Sequence, residues 1–186
     1  MLFVPFRELH TLRLVLRKLT AEDVPAYYER IGSSEAVTKY MLFSAHKDIS
    51  ESVASIRKAL RRYEEGRCYR WGIAMKADNT LIGVIELLRF DEENGRCSFA
   101  YMLGEGFWGK GYGTEALRAV FAFAFEQIQV SEIVADHFAC NGASGAVMRK
   151  AGMTHRQTLP AKYEKNGILY DAEEYRITRE QWNSLS

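Results

Sequence analysis

Cysteine, proline and excess charge are scarce in this chain of 186 residues, which has three cysteines, three prolines and a formal net charge of +1. Three cysteines without a CxxC pair argue against a disulfide framework and against a zinc site. We interpret them as small buried hydrophobic residues in a reducing cytoplasm. A balanced charge provides no general attraction to nucleic acid. The sequence therefore predicts neither a metal site nor a nucleic-acid partner.

Long apolar runs are absent too, and no stretch approaches the length of a membrane-spanning helix. The opening segment MLFVPFREL lacks a basic start followed by a sustained apolar stretch, so no signal peptide is expected. Apolar residues still make up 47% of the chain, enough to build the core of a single domain over residues 1–186. We expect a cytoplasmic protein without a membrane partner, either a monomer or a homodimer.

The first half of the sequence predicts a strand, two helices and then three strands. Residues 12–18 alternate apolar with basic residues, as a strand does, and Thr20 precedes a helix start. A second helix is expected after Asp48, where apolar residues recur at helical spacing. Two turns join the apolar segments that follow, which favours an antiparallel meander of three strands: 69–75, 81–90 and 96–103.

The second half adds a helix, a strand, a helix and a closing hairpin. A long amphipathic helix is expected after Thr114, followed by a strand over 132–140. Residues 141–153 read as a helix capped by Asn141, and Asn166-Gly167 is a typical hairpin turn. This order predicts an α/β protein of the α+β type, with one mixed, mostly antiparallel sheet flanked by helices.

Five glycines occupy eleven positions in GEGFWGKGYGT, residues 104–114, between a strand and a helix. Glycines allow backbone N–H groups to approach a ligand closely, and a helix start adds unpaired donors and partial positive charge. The segment therefore predicts a pyrophosphate site, to which Lys110 would add a charge; the alternative is a plain flexible turn. The spacing fits neither the P-loop nor the dinucleotide fingerprint, since Gly111 follows Lys110 and the glycines alternate.

The loop WGKGYG resembles the Q/R-x-x-G-x-G/A motif of the GNAT acetyltransferase superfamily, and in particular the branch that includes the ribosomal-protein N-terminal acetyltransferases. Similar segments occur in the same order along most of the chain: LRLVLRKLTAEDV, LIGVIEL, FAYMLGEGFWGKGYGTEAL, NGASGAVMRKAGM and TREQW. Two departures stand out. Trp108 replaces the first Gln or Arg, and Met148 stands where many members carry a tyrosine acid.

The resemblance implies a fold whose central strands splay apart to hold acetyl-CoA as a cosubstrate, with no metal and with direct attack by an amine on the thioester. It implies the following CoA-binding residues: Met102, Leu103, Trp108, Gly109, Lys110, Gly111, Tyr112, Gly113, Thr114, Asn141 and Ser144. Within the branch, Ser144 is a plausible substitute for the missing tyrosine acid, although a locally bonded hydroxyl is an equal alternative.

Glu86 is the candidate general base that the residues themselves indicate. It lies in LIGVIELLRF, a strand that is apolar on both faces, where a carboxylate is out of place unless it is paired or used. A structural ion pair is the main alternative explanation. Asp136, His137 and an ordered water are the other candidates for the base.

Two other functions remain open at this stage, as does the acceptor. The domain could bind CoA or acyl-CoA without turnover, or Cys140 and His137 could form the nucleophile–base pair of an acyltransferase. The second is disfavoured because residues three apart in a strand point to opposite faces. Acidic residues in 91–94 and in the closing hairpin predict a cationic acceptor: Glu164, Asp171, Glu173 and Glu174.

Overall fold

The computed structural model describes residues 4–66 and 68–185. No signal peptide is expected in the opening segment MLFVPFREL, and the first three residues of that segment lie outside the described ranges. One eight-stranded sheet runs through the molecule in the order β1-β2-β3-β4-β5-β6-β8-β7. Its strands are β1 (Leu9–His10), β2 (Leu14–Arg17), β3 (Tyr69–Met75), β4 (Leu81–Asp91), β5 (Arg96–Leu103), β6 (Glu132–Phe138), β7 (Thr154–Lys165) and β8 (Ile168–Thr178).

Helices cover both faces of the sheet. They are α1 (Val24–Tyr27), α2 (Glu35–Thr38), α3 (Ile49–Glu64), α4 (Tyr112–Ala122), α5 (Gly142–Lys150) and α6 (Arg179–Asn183). Single turns of 3₁₀ helix span Ala21–Asp23 and Glu105–Phe107, and π turns extend α1 and α4 over Tyr28–Gly32 and Phe123–Ile128. The predicted fold class is confirmed, because helices flank a mixed, mostly antiparallel sheet.

The local signals in the sequence account for most of these boundaries. Thr20 forms a capping box with Asp23, and the Asp48 side chain accepts a hydrogen bond from the amide of Ser50 at the start of α3. Asn166 and Gly167 both have positive φ, of 53° and 75°, which a tight hairpin turn requires. The first predicted helix differs, because the structure divides that stretch into α1, a π turn and the short α2.

Two hydrophobic cores hold the layers together. The larger core lies between the sheet and α4 and α5, where Trp71, Phe121 and Ile133 are almost fully buried. The smaller one lies under α1 and α3 and includes Tyr27 and Ile56. Burying a side chain of this size stabilises the fold by about 1.5–3 kcal/mol, so the two cores fix both helical layers against the sheet.

β5 and β6 are parallel and pair at one end only. Arg96 lies opposite Glu132 and Cys97 lies opposite Ile133, after which no further pair forms between these strands. The other neighbouring strands are antiparallel, and β4 and β5 pair along most of their length. The strands therefore diverge beyond Cys97 and leave an opening between β5 and β6, as the resemblance implied.

Candidate active site

The glycine loop closes one end of the opening between β5 and β6. Gly109 and Gly111 have φ of +72° and +82°, a left-handed conformation that side chains adopt at a cost. Gly111 caps α4, whose first amides have no partner within the helix. The loop thus presents backbone donors and the positive end of a helix dipole, which together suit a phosphate group.

A carboxylate from α4 braces this loop against the start of β2. Glu115 accepts hydrogen bonds from the hydroxyl of Thr11 at 2.6 Å and from the amide and Nε of Arg13 at 2.8 and 2.7 Å. Burial acts to raise the pKa of Glu115, but these donors outweigh it and leave the pKa below its ordinary value. Arg13 also donates to the carbonyl of Lys110 at 3.0 Å, and its guanidinium lies 4.3 Å from the ring centre of Tyr112.

A cavity of about 400 Å³ lies beside the loop and reaches into the opening. All the predicted CoA-binding residues except Lys110 line it: Met102, Leu103, Trp108, Gly109, Gly111, Tyr112, Gly113, Thr114, Asn141 and Ser144. The Nζ of Lys110 instead donates to the carbonyl of Gly106 at 2.7 Å, within the loop itself. Lys150, at the end of α5, supplies a cation to the lining that the sequence analysis did not single out.

Asn141 and Ser144 lie at the start of α5. The Asn141 side chain accepts a hydrogen bond from the amide of Ser144 at 3.4 Å, which is the cap expected from the sequence. Met148, one turn further along, is buried in the larger core. The position where many superfamily members carry a tyrosine acid therefore holds a packing residue in this chain.

Tyr101 on β5 provides a phenol at this place from a different element, and the sequence analysis missed it. It lines the first cavity together with Ser144. Burial raises the pKa of Tyr101, and the neighbouring Ser144 hydroxyl lowers that pKa by a smaller amount. The phenol is therefore protonated at neutral pH and can donate a hydrogen bond.

A second cavity of about 290 Å³ adjoins the first. Met41, Tyr101 and Met102 line both of them. The rest of its lining is largely apolar but includes the side chains of Glu86, Arg70 and His46. Two spaces that share a wall of three residues can bring two reactants together.

Glu86 reaches this second cavity from β4 and is paired with an arginine. Its Oε1 accepts a hydrogen bond from Nη1 of Arg62 on α3 at 2.5 Å. Its Oε2 has no hydrogen-bond partner in the described part of the chain. The ion pair that the sequence analysis weighed as an alternative is present, and it occupies one of the two carboxylate oxygens.

The acids predicted to border a cationic acceptor lie elsewhere. Within the described ranges none of them lines either cavity, and several bond to their own hairpin or turn. Asp171 accepts from the amide of Ala161, Glu173 bonds with His155, and Asp91 accepts from Asn94. Their charges are therefore used locally, and they do not support the predicted cationic acceptor.

Asp136 and His137 on β6 line neither cavity. Asp136 is paired with Lys162, and the imidazole Nδ1 of His137 is hydrogen-bonded with the carbonyl of Phe138. One oxygen of Asp136 and Nε2 of His137 are buried without a partner among the described residues.

Cys68 and Cys97 are buried as expected, but Cys140 is exposed because it follows the end of β6, so the interpretation of it as a buried residue was wrong. His137 is buried, and no hydrogen bond joins it to Cys140 in residues 68–185. The rival nucleophile–base pair is not formed.

No group of three or more potential metal ligands is found within 4–66 and 68–185. In those same ranges, no helix has the length and apolar character needed to cross a membrane. The site consists of a donor-rich loop, two adjoining cavities and a few polar side chains.

Comparison with known proteins agrees with this geometry. The sequence model described as an acetyltransferase (GNAT) domain matches residues 13–154. The N-acetyltransferase YoaA of Bacillus subtilis, itself uncharacterised, is 29% identical over 174 residues, which cover 94% of this chain and 98% of that protein.

Solved structures show the same fold. A GNAT-family acetyltransferase from Bacillus anthracis superposes with a TM-score of 0.84 at 21% identity, over 94% of this chain and 99% of that one. A RimL ribosomal L7/L12 acetyltransferase in complex with coenzyme A gives a TM-score of 0.82 at 20% identity, over 92% and 98% of the two chains. With a family match over most of its length and a relative aligned almost end to end, this chain belongs to the GNAT family and is an acetyl-CoA-dependent N-acetyltransferase.

Proposed function

We propose that the chain, as one domain over residues 1–186, moves the acetyl group of acetyl-CoA directly to a primary amine. The observation that carries the proposal is the pair of adjoining cavities, one beside the glycine loop and the other containing Glu86. Acetyl-CoA occupies the first cavity with its pyrophosphate at the loop, and the amine occupies the second. The shared wall of Met41, Tyr101 and Met102 is where the thioester meets the amine.

The thioester carbonyl is polarised by backbone amides at the open edge of β5. The amide of Gly104 donates to Ile82 on β4, so strand alternation directs the amides of Leu103 and Tyr101 toward the opening. β6 has diverged there and does not pair with them. Donors aimed at an oxygen that gains negative charge lower the barrier, since they need no reorganisation during the reaction.

Glu86 removes the proton from the amine, either directly or through one water. Amines with a pKa of about 8 to 10 are mostly protonated near neutral pH, and only the neutral form attacks. Oε2 is the atom available for this transfer, because Arg62 occupies Oε1. Removal of a general base typically lowers the rate by about 10²–10⁴.

Ser144 and Tyr101 protonate the departing thiolate of CoA. Both side chains line the first cavity, and the Ser144 hydroxyl lies close enough to Tyr101 to affect its pKa. Together they provide the proton donor that Met148 cannot supply.

The test is a thiol-release assay on a panel of primary amines, with the wild type and Glu86→Gln. We expect thiol release with at least one amine, and a loss of about 10²–10⁴ in kcat for Glu86→Gln with the same Kd for acetyl-CoA. Glu64→Gln, an exposed substitution on α3, is the matched control and should behave as the wild type. Tight CoA binding without thiol release on any amine would contradict the proposed reaction. A normal rate and an unchanged acidic limb of kcat/KM in Glu86→Gln would exclude Glu86 as the base.

A further inference from the structure

The second cavity is lined by one arginine, Arg70, and one carboxylate, Glu86, and that carboxylate is already paired with Arg62. Arg62 and Arg70 both lie beside Glu86, the carboxylate of this cavity. Arg62 is hydrogen-bonded to Glu86, whereas no ion pair of Arg70 is found among residues 4–66 and 68–185. Arg62 is not part of the cavity lining, but it neutralises Glu86 and so leaves the positive charge of Arg70 without a counterion at the place where the acceptor binds.

Arg70 makes only weak contacts through its guanidinium. Its Nη2 lies 3.4 Å from the neutral hydroxyl of Tyr27, and its central carbon lies 6.0 Å from the centre of that ring. A half-buried guanidinium usually has an anionic partner, because it loses hydration that a neutral hydroxyl does not replace. Its planar set of donors matches both oxygens of a carboxylate. A carboxylate on the acceptor would provide the missing partner.

The register of the sheet places Arg70 next to Glu86. The two residues lie directly opposite each other on β3 and β4. Side chains paired in this way point to the same face, with Cβ atoms about 5 Å apart. A cation and an anion at this spacing match a molecule that carries an amine and a carboxylate on the same carbon atom.

The rest of the cavity suits an apolar side chain on that carbon. Tyr27, Met41, Phe43, Val84 and Ile85 form most of the remaining wall. A polyamine would bring further positive charge to a cavity that is already positive and would leave Arg70 without a partner. A protein N-terminus has an amide at the position where an amino acid has its carboxylate.

We propose that the acceptor is an α-amino acid with an apolar side chain, whose carboxylate binds Arg70 while its amine faces Glu86. This inference rests on the proposed function, since it assigns the occupant of the second cavity.

The experiment compares three forms of each acceptor: leucine, methionine and phenylalanine, their amides, and the amines that lack the carboxyl group. A charge-assisted pair is worth about 1.5–3 kcal/mol, so kcat/KM for the acid should exceed that for the amide by at least about tenfold. Arg70→Gln should reduce this ratio to about one by lowering activity on the acid, and Arg70→Lys should keep part of the preference. Arg61→Gln is the matched control, since that arginine is exposed and pairs within its own helix.

Amides that react as well as the acids would overturn the inference, and so would an Arg70→Gln variant that loses activity on both equally. Thermal unfolding and acetyl-CoA affinity of each variant show that the fold and the first cavity are intact. If no amine is acetylated, the proposed function fails, and calorimetric titration of the three amino acids into the CoA-bound protein decides the inference separately. Binding that requires Arg70 supports it, while binding that is absent or independent of Arg70 overturns it.

Discussion

The Nζ of Lys165 lies 2.8 Å from the carbonyl oxygen of Met41, a residue 124 positions earlier in the chain. The same ammonium donates to the carbonyls of Thr38 at 2.8 Å and Lys39 at 3.1 Å. The closing hairpin is thereby fixed to the segment after α2, which lines both cavities through Met41. A single side chain therefore positions one wall of the site from the opposite end of the sequence.

Replacing this ammonium should weaken the acceptor site. We expect Lys165→Met to lower kcat/KM for the acceptor by about tenfold or more. A hydrogen bond that involves a charged group is worth about 1.5–3 kcal/mol, and about 1.4 kcal/mol corresponds to a factor of ten. Steady-state kinetics with varied acceptor at saturating acetyl-CoA measure the effect. Lys58→Met removes an exposed lysine on α3 and is the control. Equal kinetics in the two variants would show that the hairpin does not position this wall.

Gly111 should be needed for CoA binding by the glycine loop, and not only for the folding of that loop. Valine there would strain a left-handed backbone, so a loss of binding could come from misfolding. Asparagine tolerates this conformation better, and its Cβ would lie 3.3 Å from Nη2 of Arg13. We expect Gly111→Asn to fold and to bind CoA at least about tenfold more weakly, because its side chain enters the phosphate site.

Gly66→Asn is the matched control for this loop, because Gly66 has a φ of +75° and no atom within 4 Å of an added Cβ. Calorimetry with CoA measures both affinities, and thermal unfolding measures both stabilities. Undiminished CoA affinity in a folded Gly111→Asn variant would contradict the pyrophosphate site.

Tyr101 and Ser144 should act as one proton-donating unit. We expect Tyr101→Phe and Ser144→Ala each to lower kcat by about 10²-fold with little change in acetyl-CoA affinity. Because the two hydroxyls are neighbours in the same cavity, the double variant should lose little more than the more damaging single one. Losses that multiply in the double variant would show that they act independently. A change in affinity alone would reduce Ser144 to a positioning residue.

The brace formed by Glu115 should contribute to stability in a pH-dependent way. The folded pKa of Glu115 lies below its ordinary value of 4.5, so its contribution is complete above that value and is lost as the pH falls through the lower folded pKa. We expect Glu115→Gln to lower the free energy of unfolding by about 1.5–3 kcal/mol at pH 7, with a smaller difference in acid. Urea unfolding from pH 7 to pH 3 measures this, with the exposed Glu126→Gln as control. A difference that stays constant with pH would exclude ionised Glu115 as the cause.

Local patterns in the sequence predicted the parts of this structure that local forces determine. The meander follows from alternation and turn residues, and the glycine loop follows from spacing before an amphipathic helix. Asn141 was predicted as a cap because its role involves only the next turn. These features need no knowledge of which distant segments meet.

The residues that complete the site depend on long-range packing. Arg62 contacts Glu86 only because α3 lies over β4. The alternation of side chains along β5 likewise does not reveal that Tyr101 lies near Ser144 on α5. Arg70 gave one signal in the sequence, since it is a charge in the apolar run of β3. That signal does not identify Glu86 as its neighbour, because the strand register is set by the tertiary fold.

The divergence of β5 and β6 affects the lifetime of the protein in the presence of proteases. Among the described residues, two residue pairs join the antiparallel blocks β1–β5 and β6–β8 across the middle of the sheet. Those blocks are otherwise held together by packing against α4 and α5 and by the contacts of Lys165. In the proposed complex, the cosubstrate fills the opening, takes the place of the missing strand pairing and binds the folded state alone. At a concentration one hundred times its Kd, such a ligand adds about 2.7 kcal/mol to stability. The turnover of this protein by proteases would then follow the supply of acetyl-CoA, with molecules degraded soonest when the cosubstrate is scarce.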